Sequence, residues 1–363
     1  MCMNPNYVVW NRALNKWMFP SKKNLKEYGA DWSKTLFVPC GKCPECKAKW
    51  RTQLGQRMRW ELEKYKGNCC FLTLTVNKEN LQKVFPGYSL DHTYFQKFMK
   101  RLRRYLEYRG FTGKIKYLVC GEYGHDNGRP HFHAIIMGWK PEDNDLIFRG
   151  TTKKHYQKFE SKLIQRLWSD PDATEKEIKK FNKDNPGIVY KNGGDYDYMP
   201  LGLVDVSLDV NENTAPYMVK YMVKFAEISK DEFTVNTKIN DDEWILDNPV
   251  RKPYLVYPKV MIGLDYFLDH IDQIITNGFI MDSRGKYLGI PPCFIKYLKN
   301  SEDLEMQNYY LIHKYRSDEF IEEQKKILEV LCGSDWYVVQ LEYLREQGRI
   351  RREMYESMKN NNR

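Results

Sequence analysis

Residues 115–137, IKYLVCGEYGHDNGRPHFHAIIM, decide how this chain is read. Residues 115–120 and 132–137 are short apolar runs rich in β-branched side chains. The Gly-, Asp- and Asn-rich segment 121–130 between them predicts a turn, and hence an antiparallel hairpin. His131 and His133 are two residues apart in a strand, so both imidazoles project from one face while Phe132 and Ala134 project from the other. Two convergent imidazoles make half a metal site; a pair of half-buried polar side chains on a sheet face is the other reading. Glu122 sits on the opposite arm of the hairpin and brings a carboxylate beside them. Two neutral nitrogens and one oxygen with open positions suit Mg²⁺, Mn²⁺ or another divalent ion that must also accept a phosphate oxygen. A closed structural zinc is disfavoured here, because such sites have four protein ligands and no cysteine is close in sequence.

Working outward, residues 71–76 (FLTLTV) read as a further strand, placed centrally, and residues 203–210 as another, with Val204, Val206, Leu208 and Val210 on one face. Residues 47–66 carry Trp50, Leu54, Met58 and Leu62 at helical spacing. The strongest amphipathic helix is 93–109, with Phe95, Phe98, Met99, Leu102 and Leu106 on one face and Lys97, Lys100, Arg101 and Arg104 on another. That basic face either contacts phosphate or is solvated. Residues 140–200 read as a polar insertion around one helical piece, 156–168. The chain turns acidic and irregular after 228, then helical, with long charged helices from about 302 to 360. Strands followed by helices predict an α+β fold: an antiparallel sheet of roughly five strands with flanking helices and a mainly helical C-terminal region. The expected organisation is an N-terminal extension over 1–36, a core domain over 37–228 and a helical region over 229–363.

Composition narrows the class. The chain has 363 residues, 42% hydrophobic and 29% charged, and a mean hydropathy of −0.68, which exclude disordered and collagen-like proteins. No apolar run approaches the ~18 to 20 residues that cross a bilayer, and the first residues lack a signal-peptide order, so a cytoplasmic protein without membrane contact is expected. Lys and Arg number 58 against 48 Asp and Glu, a net charge of +10 that favours polyanionic partners through counterion release. The nine cysteines are odd in number and include the adjacent pair Cys69 and Cys70, which predicts reduced thiols. No GxxxxGK[ST] sequence is present, so no P-loop nucleotide hydrolysis is expected.

Two further clusters carry chemistry. Residues 217–224, YMVKYMVK, follow a start signal in which Asn213 or Thr214 caps a helix and Pro216 lies in its first turn. Tyr217 and Tyr221 then fall one turn apart on one face, with Lys220 and Lys224 as an equivalent pair beside them. An amphipathic helix with snorkelling lysines has the same pattern. A phenol with an ordinary pKa of about 10 is a poor nucleophile without an activated electrophile or a neighbouring cation, and this chain offers both. Cys40, Cys43 and Cys46 have CxxCxxC spacing, suited to zinc if a fourth ligand, for example Cys69 or Cys70, comes from elsewhere.

Together these pieces resemble the HUH endonucleases, whose RRM-like sheet carries a histidine–apolar–histidine strand for a divalent metal and whose tyrosine helix cuts single-stranded DNA. FLTLT at 71–75 is similar to that superfamily's first motif, GEYG at 121–124 with RPHFH at 129–133 to the second, and YMVKYMVK to the two-tyrosine third. PCGKCPEC at 39–46 resembles, more narrowly, the replication initiators of gokushovirus-type microviruses, single-stranded DNA phages. The motif-bearing resemblance covers roughly residues 37 to 226. An aromatic Phe132 between the histidines departs from the pattern but faces away from them.

The resemblance implies metal held by His131, His133 and Glu122, with Mg²⁺ or Mn²⁺ as cofactor. It also implies attack by Tyr217 or Tyr221, helped by Lys220 or Lys224, leaving a 5′-phosphotyrosine and a 3′-hydroxyl primer in rolling-circle replication. Origin DNA, a host helicase and a host DNA polymerase are the implied partners, in a host bacterial cytoplasm. A non-catalytic single-stranded nucleic-acid-binding module, and a transposase or conjugative relaxase with the same chemistry, are the competing readings.

Overall fold

The computed structural model describes residues 2, 5–13, 16–19, 30–65, 67–152, 156–184, 197–211, 214, 217–218, 233–240, 242–256, 258, 261–281, 285, 287–333 and 336–360. The chain divides into two compact units, Leu54–Tyr266 and Met1–Gln53 with Phe267–Arg363. Helix α1, Pro44–Tyr65, contributes residues to both.

The unit Leu54–Tyr266 is built on an antiparallel sheet of seven strands. These are β1 (Cys69–Leu74), β2 (Lys116–Tyr123), β3 (Pro130–Met137), β4 (Leu146–Thr151), β5 (Gln157–Ser161), β6 (Val204–Ser207) and β7 (Tyr254–Val256). Their spatial order is β7-β2-β3-β1-β6-β5-β4. The hairpin read from residues 115–137 is β2 and β3, and β1 is central as expected. Three strands go beyond the sequence reading. β4 and β5 come from the insertion, so that segment extends the sheet, and β7 returns from beyond residue 228 to pair with β2.

The expected helical piece 156–168 is corrected to strand β5 followed by a short helix, Lys162–Leu167. The switch has a local cause. Ser161 takes extended backbone and its side chain accepts from the Ile164 N–H, which starts a helix at residue 162 and leaves the preceding residues to the sheet.

One face of the sheet is covered by helix α2, Thr93–Tyr108. Leu72, Leu74, Val119, Phe132, Ala134 and Val206 interleave with Phe95, Phe98, Met99 and Leu102 of α2, all of them buried. Phe132 lies 5.6 Å from Phe95 between ring centroids. Full burial of a Phe contributes about 1.5–3 kcal/mol, and this packing fixes which face of β3 is the inner one. The basic side of α2 is therefore behind the sheet, away from the histidines. Part of it is structural: Arg101 donates to the Ser169 carbonyl at 2.7 Å, and Lys97 lies 4.6 Å over the Tyr94 ring.

The turn between β2 and β3 is clamped by a hairpin, Thr234–Lys238 with Trp244–Pro249. Arg129 donates to the carbonyls of Lys238 and Ile239, both at 2.8 Å, and Lys238 N–H donates to the Asn127 carbonyl. Gly128 has φ +61°, and a Cβ there would meet the Asn236 carbonyl, so the turn requires glycine.

In the other unit, Lys16–Met18, Asn6–Asn11 and Ala30–Val38 form a three-stranded antiparallel sheet in that order. The sequence reading found no periodicity there, and a register shift between Val9 and Trp10 explains why alternation is broken. The C-terminal region is helical as expected. Phe267 stacks on Phe294 at 4.4 Å, and two long helices run over Leu304–Cys332 and Trp336–Asn360. None of the described helices is long and apolar enough to cross a membrane.

Candidate nucleic-acid processing site

The site grows from register. Glu122 of β2 is paired with His131 of β3, and His133 is paired with Cys120 on one side and Thr73 of β1 on the other. Cross-strand partners share a face, so Glu122, His131, His133 and Thr73 all stand on the side opposite the α2 core. Glu122 Oε1 lies 3.1 Å from His131 Nε2 and 2.7 Å from His133 Nε2. The three donor groups expected from the sequence are thus brought together. Glu122 and His133 are buried and His131 is partly so.

The outer nitrogens are also anchored. His131 Nδ1 lies 3.2 Å from the Arg129 carbonyl, which can only accept, so that nitrogen carries the proton and Nε2 presents a lone pair. His133 Nδ1 meets the Thr73 hydroxyl at 3.0 Å, and its ring stacks on Phe71 at 5.4 Å. Lone pairs from an imidazole and a carboxylate then converge on one point, an arrangement that a proton or a cation must hold. The second oxygen of Glu122, Oε2, is buried without a hydrogen-bond partner. An acceptor-only donor set with an unsatisfied oxygen fits a divalent cation.

Electrostatics agree with this arrangement. Burial works to raise the Glu122 carboxyl, but the hydrogen bonds and charges of His131 and His133 outweigh it and hold it below the ordinary value. Burial lowers the His133 imidazole, against the opposing hydrogen bond to Glu122, and so favours the neutral form that a metal needs. Cys120, paired with His133 in the register, has its thiol pushed up by burial and adds no ligand charge at neutral pH.

Two clefts of about 470 Å³ each flank the triad on the same face. One reaches His131 and is lined by Asn77, Asn127 and Arg129. The other reaches His133 and is lined by Lys158, Asp205, Thr214 and Tyr217. Thr73 lines both. The Tyr217 ring lies 6.2 Å from the His133 ring, edge-on, and 41% of the residue is exposed. Thr214 is helical but receives the Asn211 N–H on its hydroxyl, at 3.0 Å. Asn213, Pro216, Lys220, Tyr221 and Lys224 lie outside the described residues.

Three neighbours of the site escaped the sequence reading. Thr73 holds His133, and the polar positions of FLTLT carried that signal once β1 is known to pair with β3. Asp205 alternates with the buried Val204 and Val206, which puts it on the histidine face. Lys158, ion-paired with Asp205 at 2.7 Å, was hidden by the helical reading of its segment.

The thiol cluster is also formed, with a correction. Cys40, Cys43 and Cys46 gather with Cys2, not with Cys69 or Cys70. Those two are buried in β1, where Cys70 joins the core beneath α2 and lies 3.9 Å from the Trp139 carbonyl.

Residues 69–226 match the family model for replication-associated proteins of the ORF2 type, a segment that includes every part of the sheet-face site described above. Over that segment the chain is a replication-associated domain of this class. Among curated proteins, "Replication-associated protein ORF4" of Chlamydia phage 1 is 26% identical over 85% of this chain and 68% of its own length. "Replication-associated protein ORF2" of Spiroplasma virus 4 is 32% identical over 52% of this chain and 58% of its own. "Replication-associated protein VP4" of Bdellovibrio phage phiMH2K is 29% identical over 55% and 62%. The chain thus spans about three-fifths to two-thirds of these relatives. All of these matches support the resemblance to microvirus-type rolling-circle initiators read from the motifs. No solved structure matches the chain.

Proposed function

We propose that this chain is a rolling-circle replication initiator that nicks and rejoins single-stranded DNA by tyrosine transesterification. The observation that carries the reading is the shared sheet face: a carboxylate and two imidazoles converging, with a half-exposed phenol 6.2 Å from one imidazole ring. The relatives' names and the family match support a role in phage replication. Residues 37–228 are the proposed HUH domain.

His131, His133 and Glu122 would hold Mg²⁺ or Mn²⁺, which when bound supplies a Lewis acid for a phosphate oxygen. Glu122 and the neutral imidazoles contribute oxygen and nitrogen lone pairs, and Thr73 and the Arg129 carbonyl keep the rings in place. Tyr217 or Tyr221 attacks phosphorus: a phosphorus–phenol oxygen bond forms, the bond to the 3′-oxygen breaks, and the phenol's proton ends on that 3′-oxygen. No water is consumed. The phosphotyrosine ester keeps the energy of the broken bond, so attack by a 3′-hydroxyl runs the step backwards and joins a strand. A second tyrosine serves a second cut while the first is occupied. Lys220 and Lys224 are the proposed cations that ease phenol ionisation or offset charge on the reacting phosphate. Strand opening and synthesis fall to a host helicase and polymerase in the host cytoplasm.

The test is incubation of the full chain with an origin-containing single strand and Mn²⁺ or Mg²⁺, followed by denaturing electrophoresis. A covalent protein–DNA band, lost on addition of a chelator and mapped by mass spectrometry to Tyr217 or Tyr221, is expected. A complex that dissociates completely would replace the nuclease with a non-catalytic binding module.

A further inference from the structure

The DNA chemistry proposed above makes no use of the thiol cluster, which stands on its own geometry. We propose that Cys2, Cys40, Cys43 and Cys46 form a closed, tetrahedral zinc site that ties the segment ahead of the first described strand to the first turn of α1.

All four sulfurs lie within 4.8 Å of one another. Cys2 Sγ and Cys43 Sγ are 3.8 Å apart. A tetrahedron with Zn–S bonds of about 2.3 Å has an edge of ~3.8 Å, so this pair has the spacing that four thiolates take around zinc. Disulfide chemistry does not account for the gathering, because all nine cysteines are free. Four thiols clustered without a bond between them repel one another once ionised, and a dication at their centre removes that repulsion.

The local backbone is arranged for thiolates. The Cys40 N–H donates to Cys2 Sγ at 3.2 Å and the Cys43 N–H donates to Cys40 Sγ at 3.3 Å. Amides aimed at sulfur stabilise the charged form. Gly41 has φ +73°, which turns the chain sharply between Cys40 and Cys43. Pro44 opens α1 and Cys46 lies in its first turn, where the helix dipole favours negative charge. Zinc with four thiolates carries a net −2, and Lys42 and Lys47 flank the motif in sequence.

The donor set chooses the metal and the role. Sulfur-only ligation selects zinc over Mg²⁺ and Mn²⁺, which take oxygen. Four protein ligands leave no open position for water or phosphate, so the site is structural. Its place in the fold says what it holds: Cys2 precedes the strand Asn6–Asn11, and Cys40 follows the strand Ala30–Val38 that pairs with it. The metal would close that small sheet at the ends where both strands meet α1.

The experiment uses the full-length chain purified without chelator. Elemental analysis is expected to give one zinc per chain, released by an organomercurial as about four thiols react. After exchange into Co²⁺, the visible bands of a tetrahedral tetrathiolate are expected. Cys2→Ser should weaken zinc binding by at least about tenfold and reduce the sulfur-to-cobalt charge transfer, and Cys2→His should restore binding with shifted bands. Cys69→Ala and Cys70→Ala should leave the zinc content unchanged. Four freely reactive thiols with no zinc would overturn the site. Zinc retained with an unaltered cobalt spectrum in Cys2→Ser would overturn the assignment of the fourth ligand. The wild-type titration and cobalt spectrum decide the matter even where a variant fails to fold, and neither reads DNA cleavage.

Discussion

Two clusters of metal-ligand side chains in this chain differ in almost every physical respect. On the sheet face, one carboxylate and two imidazoles come from neighbouring strands, lie between two clefts and leave coordination positions open. In the other unit, four thiols come from a turn, a helix start and a distant residue, and complete a shell. The contrast teaches that strand register suits a reactive centre, because a rigid ladder holds few ligands at fixed spacing. A turn with a helix start can wrap a whole ion.

The largest effect should come from the nucleophiles. Tyr217→Phe combined with Tyr221→Phe is expected to abolish covalent DNA attachment, a loss of at least about a thousandfold, with strand binding retained; gel analysis under denaturing and native conditions separates the two. His131→Ala comes next. Cleavage should fall by at least about a hundredfold while binding to the same strand stays within a few-fold, because the backbone-tracking contacts lie elsewhere.

Chelation tests the contrast directly. Dialysis against EDTA mild enough to spare the thiol site should abolish cleavage and leave the melting temperature within about 2 °C, with Mn²⁺ restoring activity. Stripping the thiol site should lower the melting temperature by more than about 5 °C. Thr73→Val probes the support behind His133 and should cost about 10- to 100-fold in divalent-metal affinity, read by titrating Mn²⁺ against activity. The smallest effect is expected from Lys100→Ala on the exposed side of α2, behind the sheet: cleavage and binding should change by less than about twofold. A large loss there would mean that DNA wraps the helix face as well.

Much of the sheet-face site was legible because period-two alternation places residues 131–134 unambiguously. Buried Phe132 and Ala134 leave His131 and His133 only one side to face, and Glu122 follows from the hairpin. Strands β4 and β5 were not legible, since their segment is polar and partly exposed and the nearby Ile164 and Trp168 suggest helical spacing. The N-terminal sheet was hidden by its bulge. Cys2 could not be paired in advance: it lies 38 residues from Cys40, and a single cysteine carries no spacing signal. Tyr221, Lys220 and Lys224 were legible as a motif, yet among the described residues only Tyr217 of that pattern of phenols and ammoniums is placed against the histidines.

The strand Tyr254–Val256 lies along β2, the strand that carries Glu122, and occupies its outer edge. A shortened protein that stopped before residue 254 would lay bare a row of amide donors and acceptors on that strand. Such an edge recruits other chains, so truncation at the end of the replication-associated segment should yield material that self-associates.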